Sequence, residues 1–262
     1  MSSSSWKSVR RECKFKPPST HCYQSEEPCG ATCSVRDICW LSPHLLLFRM
    51  TSYWYVSGDE LVDNYTVVNV NVYYESLCGD SIRWVKDQLV PNYASLKKHL
   101  KITLIPYGKA TQTRNAETGR WHFSCQHGSS ECLGNKAQAC GIHAIESDYQ
   151  ENERQDQIVY LIGCTMSDQY PPSAVETCAK RYLKEETQKR ISDCINSSLA
   201  DDLLAANGDK TWALEPQLSF VPTIILNGAR TAEIQKSALY NFKTLICSYL
   251  TKDEQRSICP NL

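Results

Sequence analysis

The sequence lacks a long hydrophobic run. Leu45-Leu46-Leu47-Phe48 is closed at once by Arg49. Nowhere do about eighteen apolar residues follow one another, so no membrane span is expected. Charge of one sign is also missing. Lys and Arg number 28 against 29 Asp and Glu, for a formal net charge of −1. That balance gives no basic field, and nucleic acid is not an expected partner. No signal peptide is visible either. Lys7, Arg10, Arg11, Lys14 and Lys16 are basic, but Pro17, Pro18 and polar residues stand where an apolar run would have to begin. No internal repeat can be traced.

Cysteine is abundant. The chain has 262 residues, 42% of them hydrophobic, and 14 are Cys. So many thiols in a mid-sized chain with enough apolar residues for a core imply disulfides and an oxidising compartment, extracellular or lysosomal in type. Two glycosylation triplets fit that compartment, Asn64-Tyr65-Thr66 and Asn196-Ser197-Ser198. The compartment and the missing signal peptide conflict: either the signal is unrecognised, or the first fifty-odd residues are not the natural start.

Composition divides the chain at about residue 62. Residues 1–62 carry a serine run, Lys16-Pro17-Pro18 and five cysteines, Cys13, Cys22, Cys29, Cys33 and Cys39. Their apolar content is thin, so a poorly ordered extension is expected there rather than a small disulfide knot. Residues 63–262 read as one domain.

Within that domain Val68, Val70, Val72 and Tyr74 alternate with Asn69, Asn71 and Tyr73, the two-residue period of a strand. Glu75-Ser76-Leu77-Cys78-Gly79-Asp80-Ser81 follows. Ile82, Val85 and Leu89 then recur at helical spacing until Pro91, which should end or kink the helix. Leu100, Ile102 and Leu104 alternate again and stop at Pro106. Strand, cysteine-bearing turn, helix and strand make a βαβ unit with parallel strands. A cysteine-rich insertion covers residues 107 to about 155. Residues 157–167 and 173–207 read as mostly helical. Val221-Pro222-Thr223-Ile224-Ile225-Leu226 reads as a returning strand, and Asn227-Gly228 as a tight turn. A last helix carries Ile234, Ala238, Phe242, Leu245, Ile246 and Tyr249.

Cys78 is the candidate nucleophile. It stands where a strand passes into a helix, and free N–H groups and the helix dipole there favour a thiolate. Asp80 brings a carboxylate close to that sulfur, which opposes ionisation, yet it also suits the first helical turn. Pro222 is the second candidate. A cis Val221–Pro222 bond would turn the Val221 backbone toward the cysteine and let it pair with an extended substrate, although most X–Pro bonds are trans.

Four segments together resemble the gamma-interferon-inducible lysosomal thiol reductases. They are Val72-Tyr73-Tyr74-Glu75-Ser76-Leu77-Cys78-Gly79, Cys125-Gln126-His127-Gly128-Ser129-Ser130-Glu131-Cys132-Leu133-Gly134-Asn135, Cys140, and Val221-Pro222 with Asn227-Gly228. The likeness runs from about Val67 to Cys259. It implies an α/β, thioredoxin-like fold with a helical, disulfide-rich insertion. It also implies reduction of disulfides in protein substrates, often at acidic pH, with no cofactor. The family's active site is Cys-x-x-Cys, whereas this chain reads Cys78-Gly79-Asp80-Ser81. The attacking sulfur carries over and the resolving one does not. A second thiol must displace the mixed disulfide, and the Ser81 hydroxyl cannot, although it could hydrogen-bond to the Cys78 sulfur. A small-thiol reductant, or a second thiol on the substrate, would then have to release Cys78 from the mixed disulfide. The alternative is a catalytically weak or inactive secreted member that binds partner proteins through the same groove.

Eight further cysteines lie in the domain: Cys125, Cys132, Cys140, Cys164, Cys178, Cys194, Cys247 and Cys259. They could make four bridges, with about a hundred connectivities open, which leaves Cys78 as the odd one. Cys125, His127, Cys132 and Cys140 could instead ligate zinc, but their spacing fits no common zinc module and no metal is expected. His127 then reads as a hydrogen-bonding or packing residue. Trp84, Trp121, Tyr73 and Tyr74 are expected to pack the core and its rim rather than form a peptide-binding surface. Lys97, Lys98, Arg181 and Lys184 read as solvated faces.

Overall fold

The structure is a computed structural model and describes residues 65–260. The N-terminal extension, its five cysteines and Asn64 lie outside the described residues, as does the boundary expected near residue 62.

β1 (Val68–Tyr74) forms where the alternation predicts it. Val68, Val70 and Val72 are fully buried, while Asn69 is exposed and Asn71 half-buried. It is the middle strand of a three-stranded sheet. On one side it pairs in parallel with β2 (Leu100–Pro106), from Val68 opposite Leu100 to Tyr74 opposite Pro106. On the other it pairs antiparallel with β5 (Thr223–Leu226), with Val72 opposite Ile224. The parallel pair requires a crossover, and the expected helix supplies it. It starts as α1 (Gly79–Trp84), widens into a π-helical turn over Val85–Leu89, resumes as α2 (Val90–Leu96) and ends in a 3₁₀ turn over Lys97–His99. Pro91 sits in the first turn of α2. Having no N–H to give, it is accommodated where the wider π turn resets the hydrogen-bond ladder. The helix is therefore interrupted and continued, not ended.

β5 closes in a two-residue turn. Asn227 (φ 49°) and Gly228 (φ 79°) are both left-handed, as the mirror-image hairpin turn demands. Leu226 and Ala229 exchange both backbone hydrogen bonds, at 3.0 and 2.8 Å, but beyond that bridge no further strand pairs. The chain enters α8 (Ala232–Tyr240), capped by the Thr231 side chain. The single C-terminal helix expected from Ile234 to Tyr249 is instead two, α8 and α9 (Phe242–Tyr249), broken at Asn241. A short α10 (Lys252–Ile258) follows.

The insertion is larger and more ordered than the sequence suggests. It opens with an antiparallel hairpin, β3 (Thr111–Arg114) and β4 (Trp121–Ser124). Five helices follow: α3 (Ser129–Asp148), α4 (Glu151–Ser167), α5 (Pro171–Tyr182), α6 (Glu185–Ile195) and α7 (Leu199–Trp212). The helical stretch read over 173–207 thus contains two breaks, at Leu183-Lys184 and Asn196–Ser198. One core runs through strands, crossover helix and insertion, joining Val70 and Val72 to Trp84, Leu89, Leu161 and Phe242. The architecture is thioredoxin-like α/β with a helical insertion.

The eight domain cysteines pair as Cys125–Cys132, Cys140–Cys194, Cys164–Cys178 and Cys247–Cys259. The second joins α3 to α6 and the third joins α4 to α5. Two cationic side chains expected to be merely solvated have partners: Lys97 pairs with Asp156 at 2.6 Å, and the Lys184 ammonium lies 4.4 Å from the centroid of the Tyr149 ring.

Candidate active site

Cys78 is the N-cap of α1, and its side chain makes no capping bond. Among the described residues it is the one cysteine outside a disulfide. It is 9% exposed. Its Sγ lies 3.7 Å from the carbonyl oxygen of Val221. The Val221–Pro222 bond is cis. Three sequence-derived features, the strand-to-helix turn, the lone sulfur and the Val-Pro strand, thus meet at one place.

Ser81 is fully buried, and its Oγ accepts a hydrogen bond from the Glu75 backbone N–H at 3.4 Å. It makes no hydrogen bond with Cys78, so the sulfur contact open to it on sequence grounds is not formed. Asp80 pairs with Arg83 at 2.8 Å, both about two-thirds exposed. The guanidinium offsets part of the carboxylate field that the sulfur would otherwise meet, weakly in so wet a setting. A cleft of about 110 Å³ flanks the turn, lined by Arg83, Trp84, Phe220, Pro222, Leu239 and Tyr240. Phe220 and Tyr240 are exposed there. A larger cavity of about 340 Å³ lies among α2, α4 and α5 and includes no residue of the Cys78 turn.

The turn is clasped from the insertion. Ser76 N–H donates to Asn135 Oδ1 at 2.9 Å, and Ser76 Oγ–H donates to the Glu131 carbonyl at 3.1 Å. A methyl group at Gly134 would come within 2.5 Å of Ser76 Oγ and 2.9 Å of the Pro172 backbone, so only glycine fits. Gly108 (φ +62°) is restricted twice over, by its left-handed backbone and by Glu75, whose Cγ lies 2.2 Å from where a Cβ would stand. The string from Cys125 to Asn135 therefore has a mechanical role: it holds the segment that presents Cys78.

Glu75 lies three residues before Cys78 and is fully buried. Burial pushes its carboxyl up to about 7, against the pull of the Lys109 amide hydrogen bond and with added repulsion from Glu131. His127, expected to be a packing or hydrogen-bonding residue, is half-exposed. Its Nδ1 stands 2.5 Å from Glu131 Oε2 and 3.6 Å from Glu75 Oε2. The zinc set weighed from sequence does not assemble, because Cys125, Cys132 and Cys140 are all in disulfides.

Gln235 is a further residue of the site. It is buried on α8, accepts from Ile224 N–H at 3.0 Å and donates to the Pro222 carbonyl at 2.9 Å. It thereby fixes the strand opposite Cys78. A lone glutamine on an amphipathic helix gives no sequence signal of such a role. Trp84 fixes the same helix from the other side, its Nε1–H donating to the Ala238 carbonyl at 2.8 Å. Trp84, Tyr73 and Tyr74 are buried, while Trp121 is half-buried and bonded to Asp202. Asn196 is exposed just past α6, its side chain donating to the Ser192 carbonyl.

Comparison with known proteins agrees with this geometry. Residues 69–182 match the family model "Gamma interferon inducible lysosomal thiol reductase (GILT)". A gamma-interferon-inducible lysosomal thiol reductase-like protein of Anopheles gambiae is 37% identical over 189 residues, covering 70% of this chain and 77% of that protein. The gamma-interferon-inducible lysosomal thiol reductase of Carassius auratus is 32% identical over 196 residues, covering 75% and 73%. Among solved structures, Chlamydia trachomatis DsbA aligns with a TM-score of 0.43 at 16% identity, covering 70% of this chain and 90% of that one. The clasped cysteine turn, the Val221–Pro222 strand facing it and identity at this level over three-quarters of a relative's length establish that the chain belongs to the gamma-interferon-inducible lysosomal thiol reductase family.

Proposed function

We propose that the protein is a thiol–disulfide oxidoreductase that acts on protein disulfides through one nucleophile, Cys78. The observation that carries this reading is the lone Cys78 sulfur at a helix start, 3.7 Å from the carbonyl oxygen of Val221. The Cys78 thiolate attacks one sulfur of a substrate disulfide, forms a mixed disulfide and releases the other substrate sulfur as a thiolate. The thiolate of a small-molecule thiol then attacks the substrate sulfur of the mixed disulfide. Cys78 is regenerated, and the small thiol leaves disulfide-bonded to the substrate; a second small thiol releases that substrate sulfur. Ser81 stands at the position of a resolving thiol and takes no part in the exchange. Four disulfides among the described residues support an oxidising compartment, extracellular or lysosomal, in which the exposed Asn196 would be open to glycosylation.

The second reading is a family member that binds partners without turning them over. The low exposure of Cys78 and the serine at 81 favour it. Turnover of a disulfide-linked fluorogenic peptide by the full chain, with a small thiol present, separates the two. The exchange reading expects activity that Cys78→Ser abolishes. Activity unchanged in Cys78→Ser, or binding of the peptide without turnover, rejects it.

A further inference from the structure

Beside the Cys78 turn, three side chains aim ligand atoms at one point. Glu75 follows β1, His127 precedes α3, and Glu131 lies in the first turn of α3. Their ligand atoms all lie within 4.8 Å of one another. Each carboxylate is anchored by its other oxygen. Glu75 Oε1 accepts from the Lys109 N–H at 2.7 Å, and Glu131 Oε1 accepts from the His127 N–H at 3.1 Å. Backbone anchors of this kind orient metal-binding carboxylates. Both Oε2 atoms are then left facing the His127 ring.

One of those atoms is an orphan. Glu75 Oε2 is buried without a hydrogen-bond partner, in a side chain with no exposed surface. Lys109 gives its backbone N–H to the other oxygen, Oε1, and the side-chain nitrogen that faces Oε2 is His127 Nδ1, 3.6 Å away. Two buried carboxylates thus share one ring. An unpaired buried carboxylate oxygen is expensive, and a divalent ion between two carboxylates and a neutral imidazole would satisfy it.

The geometry points to a binding site for a divalent first-row transition ion of the zinc type, held by Glu75, His127 and Glu131. Two oxygens and one imidazole nitrogen suit such an ion. Zinc bonds of about 2.0–2.2 Å set tetrahedral ligand pairs about 3.3–3.6 Å apart. The Glu75–His127 spacing of 3.6 Å already fits. The His127–Glu131 spacing of 2.5 Å must open by about 1 Å. The histidine can make that shift, because its side chain is 44% exposed. The same exposure leaves an entry path and room for a water as fourth ligand. The ion would tie the residue just after β1 to the start of α3, next to the turn that carries Cys78.

The test is titration of the full chain with Zn²⁺ by calorimetry. Free thiols are first alkylated in the native state, so that neither Cys78 nor any other thiol contributes. The result is thereby independent of whether Cys78 is a nucleophile. One equivalent is expected to bind, weakened at least about tenfold by Glu75→Gln and by His127→Ala. His143→Ala, elsewhere on α3, should leave binding unchanged. No binding, or binding indifferent to Glu75→Gln and His127→Ala, overturns the site. Should the variants fail to fold, Co²⁺ added to the alkylated native chain decides. Visible d–d bands that saturate at one equivalent and are much stronger than those of free aqueous Co²⁺ support the site, and a spectrum that stays that of free Co²⁺ rejects it.

Discussion

The hydroxyl of Ser81 accepts a hydrogen bond from the backbone N–H of Glu75 and makes none with the sulfur of Cys78. The position that would carry a resolving thiol therefore faces back into the turn. Ser81 is buried and the helix start is already formed, so a thiol of nearly the same size should be tolerated. Ser81→Cys is expected to raise disulfide-reductase turnover at limiting small thiol, because release of the mixed disulfide becomes intramolecular. A new disulfide between positions 78 and 81, found by mass spectrometry after one round with substrate, would accompany the gain. Unchanged turnover would mean that resolution does not limit the rate.

Gln235 bridges the two backbone groups of Pro222 and Ile224. Replacing it by Leu keeps approximate volume but leaves a buried N–H and a buried carbonyl without partners. Each orphan costs about 1–3 kcal/mol, so Gln235→Leu should lower unfolding stability by about 2–6 kcal/mol in urea titration. Gln235→Glu keeps the acceptor for Ile224 but sets a buried carboxylate against the Pro222 carbonyl, so it should not restore stability at neutral pH. If the strand opposite Cys78 positions substrate, KM for a peptide disulfide should rise in Gln235→Leu more than kcat falls.

Much of this site could be read from the sequence, and what could not has a physical cause. Val68, Val70 and Val72 announce β1 because one face is buried and the other is not. Asn227-Gly228 announces its turn because few other pairs tolerate two left-handed residues. α3 was hidden because its buried face includes Glu131, Asn135 and Gln138, which a hydrophobic pattern scores as surface. Asn135 and Gln138 are buried with side chains bonded to the Cys78 turn and to Tyr74, and Glu131 with its carboxylate bonded to His127. The β3–β4 hairpin was hidden for the opposite reason: neither strand has a buried face. The break at Asn241 leaves no trace either, since Ile234 to Tyr249 keeps a helical spacing across it.

The four disulfides should differ in what they contribute. Cys140–Cys194 spans 54 residues and Cys125–Cys132 spans 7. Closing the longer loop removes more entropy from the unfolded chain, worth about 4 kcal/mol against about 2.5 kcal/mol. Replacing both members of each pair by Ala should therefore destabilise the domain more for Cys140 and Cys194 than for Cys125 and Cys132. The second pair should instead affect turnover disproportionately, since its loop includes His127 and Glu131, which adjoin the turn that carries Cys78. Urea midpoints and peptide turnover, measured on the same two variants, check the crossed pattern.

Glu254 gives the fold a response to acid. Its carboxylate accepts from the Thr66 N–H at 2.7 Å and closes a capping box with Thr251 at the start of α10. The Thr66 hydrogen bond is the main cause that pulls it from 4.5 down to about 2, with Thr251 adding to the pull and burial opposing it. A carboxyl depressed in the folded state binds fewer protons there than in the unfolded chain. Its contribution is therefore full above 4.5 and is lost as pH falls toward 2. Glu254→Gln should be less stable than the parent near neutral pH, and the gap should narrow over that acid window. The segment most affected is the one that Glu254 ties down, the residues leading into β1. Hydrogen exchange at the amides of Thr66 and Val68 should quicken in the variant at neutral pH. In the parent, the protection of those amides relative to their intrinsic exchange rate should fall only on acidification. A gap in stability that stays constant from neutral pH to about 2 would mean that the hydrogen bonds, and not the charge they hold, account for the loss.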